Sequence, residues 1–253
     1  MLGYHEELHQ PIRREGNMQG PYGFDISESC QVCKTRSTDF FCNLTPKAIR
    51  EFDAIKTNSA YPEGSILFME KQDCRGVFVI CQGEVKLTIS SSEGKMLITR
   101  IAKAGEILGL VAALSAKPYK VTAETLRPSQ ISFVRRPDFL KFITQFPEAA
   151  LAALNQLSAN YNGACEQLRT VGLSASAEER LARLLLEWAG GEEQKATSRF
   201  KMPLTHEEIA ECIGSTRETV TRTLSEFKHK QLVILKGSTL FISNRAALES
   251  LVA

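Results

Sequence analysis

Apolar and polar positions change rhythm several times along this chain. Residues 1–29 are polar and broken by Gly and Pro, which predicts a leader without a fixed core. Thr45 and Pro46 then supply a cap followed by a proline at a first helical position, so a short helix is expected there. From about Ser65 to Arg135 the pattern becomes short β-forming runs punctuated by glycine. SILFM, GVFVICQGEVKLTIS, KMLITRI, KVTAET and QISFVR are the expected strands, with Gly64, Gly76, Gly83, Gly94 and Gly105 at or near their ends. Strands this short and this regularly spaced predict a compact all-β barrel or sandwich. Pro147 opens a long helix in which Ala150, Leu154, Leu157, Tyr161, Ala164, Leu168 and Val171 recur by four and three. That is a coiled-coil seam, weakened locally by Gly163, and it predicts a parallel pair of helices. The alternative is a single amphipathic helix lying on its own barrel. Ser176 with Glu179 caps a further helix that ends near Trp188 and Gly190.

The stretch Thr205 to Leu224, THEEIAECIGSTRETVTRTL, carries the most specific chemistry. Thr205 with Glu208, and Ser215 with Glu218, have capping-box spacing, which marks two short helices. Gly214 stands at the turn between them, and Ile209, Ile213, Val220 and Leu224 supply the apolar side that packs them together. Arg217, Glu218, Thr221 and Arg222 are left on the outward side of the second helix. Arginine presents a fork of donors that fits the two acceptors of guanine, and glutamate accepts from the amino group of cytosine. Glu218 has a second use as a helix cap. Leu232–Ile234, a Lys236–Gly237 turn and Thr239–Ile242 then predict a hairpin wing. Ser215, Lys228, Lys230 and Lys236 are the candidate phosphate contacts, which give affinity and register but little sequence information.

Composition narrows the classes without choosing among them. The 253 residues suit two domains better than one core, and a formal charge of +2 does not by itself announce a nucleic-acid partner. No apolar run is long enough to cross a bilayer, and the first twenty residues lack a secretory core, so a cytoplasmic protein is expected. In that compartment seven cysteines argue for thiols, metal ligands or redox sensing rather than a disulfide framework. No Gly-rich phosphate loop, nucleophile motif or paired His–carboxylate constellation of recognised spacing is present, which argues against an enzyme.

The residues Gly214 to Leu224, with the Arg-Glu pair and the arginine four positions beyond the glutamate, resemble the recognition motif of the Crp/Fnr family of bacterial transcription regulators. The similarity extends over most of the chain from about Cys30. It implies an α+β architecture of four parts. These are the leader (1–29), a β-roll sensor of the cyclic-nucleotide-binding type with an amino-terminal cysteine cluster (30–146), a dimerisation helix (147–172) and a winged helix-turn-helix (173–253). It further implies a homodimer on double-stranded DNA, TGTGA-like half-sites in an inverted repeat, and RNA polymerase as a partner. A cyclic-nucleotide effector module of a channel or kinase would share the β-roll but not the winged helix.

What the sensor detects divides into two expectations. Family members that bind cyclic AMP use a glutamate, an arginine and a serine, where this chain has Leu110, Lys120 and Val121. Ala164 and Cys165 stand where polar residues would meet the base. A ribose hydroxyl facing leucine would cost about 1–3 kcal/mol, and lysine does not replace the guanidinium fork. These departures argue against cyclic AMP and leave Lys120 as the anchor for another ligand. The second expectation is an iron–sulfur cluster on Cys30, Cys33 and Cys42. The spacing to the third cysteine is longer than in the family's oxygen sensors, and Ser129 stands at the position of their fourth ligand. Cys74 is the substitute. Cys81 and Cys212 read as core thiols. The alternatives for the trio are zinc, or no metal at all. His5, His9, His206 and His229 lie outside the β-roll, so none is an evident haem ligand.

Overall fold

In a computed structural model of the chain, residues 22–23, 26–33, 40–173, 176–190 and 199–252 are described. Two four-stranded antiparallel sheets form the β-roll. One runs in the order β1 (Lys56–Tyr61), β8 (Ser129–Arg135), β3 (Gly76–Gln82), β6 (Ile107–Leu108). The other runs β2 (Ile66–Phe68), β7 (Thr122–Thr125), β4 (Glu84–Ser90), β5 (Met96–Lys103). The long run GVFVICQGEVKLTIS is two strands, broken at Gly83. There φ is +98°, and a Cβ would stand 2.1 Å from the Ser129 hydroxyl, so only glycine lets the hairpin turn.

Alternation along β3 sends Phe78 and Ile80 into the roll and Val77 and Val79 outward, under helices. Those helices are α1 (Pro46–Ile55), α3 (Arg136–Gln145) and the first turns of the 27-residue α4 (Pro147–Leu173). α1 begins as its sequence demands, with the Thr45 hydroxyl accepting from Ala48 N and Pro46 at the first position. Phe41, Phe52, Phe139, Phe142 and Phe146 fill the layer between helices and sheet. A short α2 (Leu110–Ser115) closes one side of the roll.

Beyond α4 comes α5 (Ala177–Ala189), capped by Ser176. A three-stranded wing follows in the order β10 (Val233–Lys236), β11 (Thr239–Ile242), β9 (Arg199–Lys201). The helix pair α6 (His206–Ile213) and α7 (Arg217–His229) packs on it, and α8 (Arg245–Ser250) ends the fold.

The expected leader needs correcting at its end. Residues 1–21 lie outside the described residues, but 26–33 are strapped to the roll. Ser27 N donates to Gln130 Oε1 (2.9 Å), Asn58 Nδ2 to the Glu28 carbonyl (2.8 Å) and Ser29 Oγ to Asp53 Oδ2 (2.6 Å). Polar side chains of β1, β8 and α1 therefore do what an apolar anchor would otherwise have done.

The β-roll and the carboxy-terminal domain meet in a shared core. Ile98 of β5 is 1 % exposed and packs with Leu181, Ile209, Ile213 and Leu224 rather than inside the roll. Around it, Lys86 Nζ lies 3.2 Å from both Glu124 Oε1 and Glu208 Oε1. Gln167 of α4 donates through Nε2 to the carbonyls of Cys212 (2.7 Å) and Ile98 (3.3 Å). Ile98→Ala is expected to cost about 2–5 kcal/mol in urea denaturation of the full chain. A loss within the roughly 0.5 kcal/mol of an ordinary surface change would contradict this shared core.

Candidate nucleic-acid interface and sensor sites

The helix pair is built from its caps. The Thr205 side chain accepts from Glu208 N while Glu208 reaches back to Thr205 N (3.0 Å), a complete capping box. Burial pushes the Glu208 carboxyl up, but these bonds and Lys86 outweigh it and hold it below the usual carboxylate range. Gly214 takes φ +61° at the turn, where a Cβ would crowd Val171 of α4 at 3.2 Å. The second cap differs from the sequence expectation. Thr216, not Ser215, is the N-cap of α7, accepting from Thr219 N, while Ser215 N bonds to the Ala210 carbonyl to complete the turn. Glu218 is thereby free of the capping duty, and its side chain has no hydrogen bond or ion pair to another described residue.

Val220, Thr223, Leu224 and Phe227 are buried, which leaves Arg217, Glu218, Thr221 and Arg222 exposed along the opposite side of α7. Arg222 has only a 4.0 Å approach to Glu226. Thr221 Oγ1 donates to the Arg217 carbonyl (2.9 Å) and lies 3.0 Å from His206 Nδ1. His206, at the first position of α6, is thus part of this surface, although its sequence position carried no signal for it. Lys228 is exposed in the last turn of α7, and Lys236 lies at the wing tip over the Phe241 ring, 5.8 Å from its centroid. Lys230 is held by Glu178 (2.8 Å), so it differs from the other candidates in already having an anionic partner.

Under α2 the β-roll encloses a cavity of about 140 Å³. Leu110, Lys120 and Val121 line it as expected; Arg100, Leu157 and Asn160 do so too. Ala164 and Cys165 do not reach it, because α4 meets the roll through its earlier turns and Ala164 faces solvent. Arg100 is ion-paired with Glu106. The space is below the roughly 300 Å³ at which pockets begin to enclose drug-sized ligands.

The thiols converge differently from expectation. Cys74 donates to the Gly76 carbonyl (3.5 Å) and packs, like Cys30, against the core beneath the helices. Cys81, on the same face of β3 as Val77 and Val79, has its thiol pushed up by burial against the pull of its Ser132 contact and of Lys56, with Cys42 and Cys33 adding to the rise. At the centre, Lys56 Nζ donates to Cys30 Sγ and to Asp53 Oδ1, each at 2.9 Å. Burial pushes the Cys30 thiol up to about 11 against the pull of Lys56. Burial raises the Asp53 carboxyl too, but Lys56, Ser29 and the Cys30 N–H outweigh it and leave it well below the usual range. Cluster ligation needs thiolates with room between them. Here the Lys56 ammonium is bonded to Cys30, and among the described residues no three His, Cys, Asp or Glu side chains are grouped to hold a metal ion.

Comparison with known proteins matches this geometry. Residues 59–146 match the cyclic nucleotide-binding domain, and residues 179–251 the Crp-like helix-turn-helix domain. The chain is a transcription regulator of the class that joins these two domains through a long helix. It belongs to the Crp/Fnr family. It is similar to the transcriptional activatory protein AadR of Rhodopseudomonas palustris, at 24% identity over 205 residues covering 80% of this chain and 84% of that protein. The CRP-like cAMP-activated global transcriptional regulator of Mycobacterium tuberculosis is also 24% identical, over 81% of this chain and 92% of that one. Among solved structures, FixK2 from Bradyrhizobium japonicum has a TM-score of 0.68 at 22% identity, covering 79% of this chain and 98% of that chain. No helix among the described residues is long and apolar enough to cross a membrane.

The depressed Asp53 fixes the sign of one pH effect. Its contribution to stability is complete above the unfolded carboxylate value of about 3.9 and is lost as pH falls below it. Asp53→Asn is expected to lower stability at neutral pH and to flatten the acid limb of the stability curve. An acid limb of unchanged steepness, followed by denaturant unfolding at several pH values, would contradict the Asp53–Lys56–Cys30 knot.

Proposed function

We propose that the chain works as a cytoplasmic homodimer that binds double-stranded DNA at an inverted repeat of TGTGA-like half-sites and acts with RNA polymerase. The observation that carries this reading is the exposed row Arg217, Glu218, Thr221 and Arg222 on a helix whose other side is buried. The arginines would take guanine and Glu218 cytosine, with Ser215, Lys228, Lys236 and more weakly Lys230 on phosphates.

Dimerisation is supported by α4. Leu151, Leu154, Tyr161 and Leu168 are 59–72 % exposed on one chain, a stripe of large apolar side chains that a second α4 would cover. Leu157, by contrast, turns partly toward the sensor cavity, so the seam is shared between partner and roll.

The signal acts at the sensor domain and would bias the angle between the two reading heads through α4. Cyclic AMP is disfavoured by Leu110, Val121 and the small cavity beneath α2. An iron–sulfur cluster is disfavoured by Lys56 beside Cys30. The winged helix weighs against a module that binds a cyclic nucleotide without DNA, and the relatives' names are those of regulators rather than enzymes.

Arg217→Ala is expected to cost about 1–3 kcal/mol of specific binding and to relax preference at one G·C position of each half-site. Competition binding with single-base variants reads this, and unchanged affinity with unchanged preference would sink the assignment. Lys236→Ala should instead weaken all sequences alike and reduce the salt slope by about 1. A sequence-selective loss there would contradict a phosphate role.

A further inference from the structure

The β-roll has a second and larger cavity, of about 350 Å³, at its open end on the inner face of β1, β3 and β8. Its wall is aromatic: Phe78 and Phe133 have ring centroids 5.0 Å apart, and Tyr119 closes the side toward the smaller cavity. Its mouth is polar, with Ser59 on β1 and Gln72 and Arg75 on the loop between β2 and β3. Arg75 is exposed, and its guanidinium pairs with no carboxylate among the described residues. Aromatic rings on one side, the Thr57, Ser59 and Gln72 side chains on the other and an unpaired planar cation at the entrance suit a small molecule with a flat ring and an anionic end. The cavity's volume falls within the roughly 300–1,000 Å³ of ordinary ligand sites.

The loop at the mouth is tied to the wall. Lys71 sits at φ +69°, a conformation that side chains other than glycine adopt at a cost. Lys71 N donates to the Tyr119 carbonyl (2.8 Å), Tyr119 N donates to the Gln72 carbonyl (3.0 Å), and Met69 N donates to Gln72 Oε1 (3.0 Å). The Tyr119 ring stacks on Phe68 with centroids 4.0 Å apart, and its phenol donates to the Gly76 carbonyl (2.8 Å). Burial pushes that phenol up to about 12, so it stays a neutral donor. The next residue, Lys120, lines the smaller cavity together with Leu157 and Asn160 of α4. A change at Gln72 therefore has a short route, through Tyr119 and the neighbouring Lys120, to the smaller cavity that α4 also lines.

We propose that this larger cavity is the signal-binding site and that it takes a small planar aromatic carboxylate, the ring against Phe78, Phe133 and Tyr119 and the carboxylate on Arg75. Guanidinium and carboxylate match as planar, bidentate partners, and aromatic walls favour a flat ring over a puckered one. The proposal rests on the reading of the amino-terminal domain as a sensor and deepens it by naming the site and the ligand class.

Calorimetric titration of benzoate into the full chain, without DNA, tests it. The expected result is saturable binding that weakens about tenfold or more in Arg75→Gln and is unchanged in Lys120→Gln. Cyclohexanecarboxylate, with the same charge and no flat ring, should bind more weakly. The proposal is overturned by the absence of saturable benzoate binding, or by binding that depends on Lys120 and not on Arg75. Equal binding of the two acids overturns the aromatic assignment. Because Arg75 is exposed, its replacement should leave the thermal unfolding curve in place, and a shifted curve is answered by repeating the titration with Arg75→Lys. Lysine keeps the charge but loses the fork, so restoration of full affinity by it would also count against the bidentate assignment. With no DNA in the cell, failure here leaves the reading of Arg217 and Lys236 untouched.

Discussion

Two glutamines on one helix hold this molecule together across its domain boundary. Gln156 of α4 is 1 % exposed and bonds both ways to one residue of the roll, accepting from Ile107 N (2.8 Å) and donating to the Ile107 carbonyl (2.7 Å). Eleven positions on, about three helical turns, Gln167 donates to Cys212 in the first helix of the reading head and to Ile98 in the roll. A buried amide satisfied at both ends is costly to move, because each lost bond leaves an unpaired polar atom. α4 is therefore fixed to the β-roll through Gln156 and to the helix pair through Gln167. It is thus one of the elements, with β5, that tie the two domains to each other.

The junction around Gln167 uses a different balance of forces. Ile98 leaves the roll to enter the carboxy-terminal core, so apolar burial joins the domains. Lys86 adds direction, because it is shared between Glu124 of the roll and Glu208 of the capping box. The same carboxylate thus caps α6 and docks it. The Glu211 carboxyl beside it is pushed up by burial, with one oxygen lacking a hydrogen-bond partner, which marks this seam as electrostatically loaded. Gly214 lets α4 approach the turn of the helix pair, so the geometry of the reading head depends on the backbone freedom of a single residue.

Much of this was legible in the sequence because it rested on local rules. The caps at Thr45, Thr205 and Ser176, the strand runs of the roll, the glycine turns and the outward row on α7 each follow from spacing alone. β1 carries no strand signal, since KTNSAY has no apolar alternation; polar bonds to residues 26–33 and pairing with β8 hold it. Ser215 and Thr216 both offer a cap, and only the turn geometry chooses Thr216. The apolar run around Cys81 points to the core. Which face of β3 it shares with Val77 and Val79, and so its approach to Cys33 and Cys42, depends on the packing of helices over the sheet. The positions Ala164 and Cys165 came from the resemblance, which cannot know how far down α4 the contact with this roll extends.

The account's central claim is that two identical reading heads, fixed to a shared pair of α4 helices, recognise DNA as a symmetric unit. Selection of bound sequences from a pool of randomised duplexes by the full chain measures this directly. Two TGTGA-like half-sites in inverted order, with centres about one helical turn or roughly 34 Å apart, are the predicted outcome. Enrichment of a solitary half-site, or of no sequence at all, would contradict it.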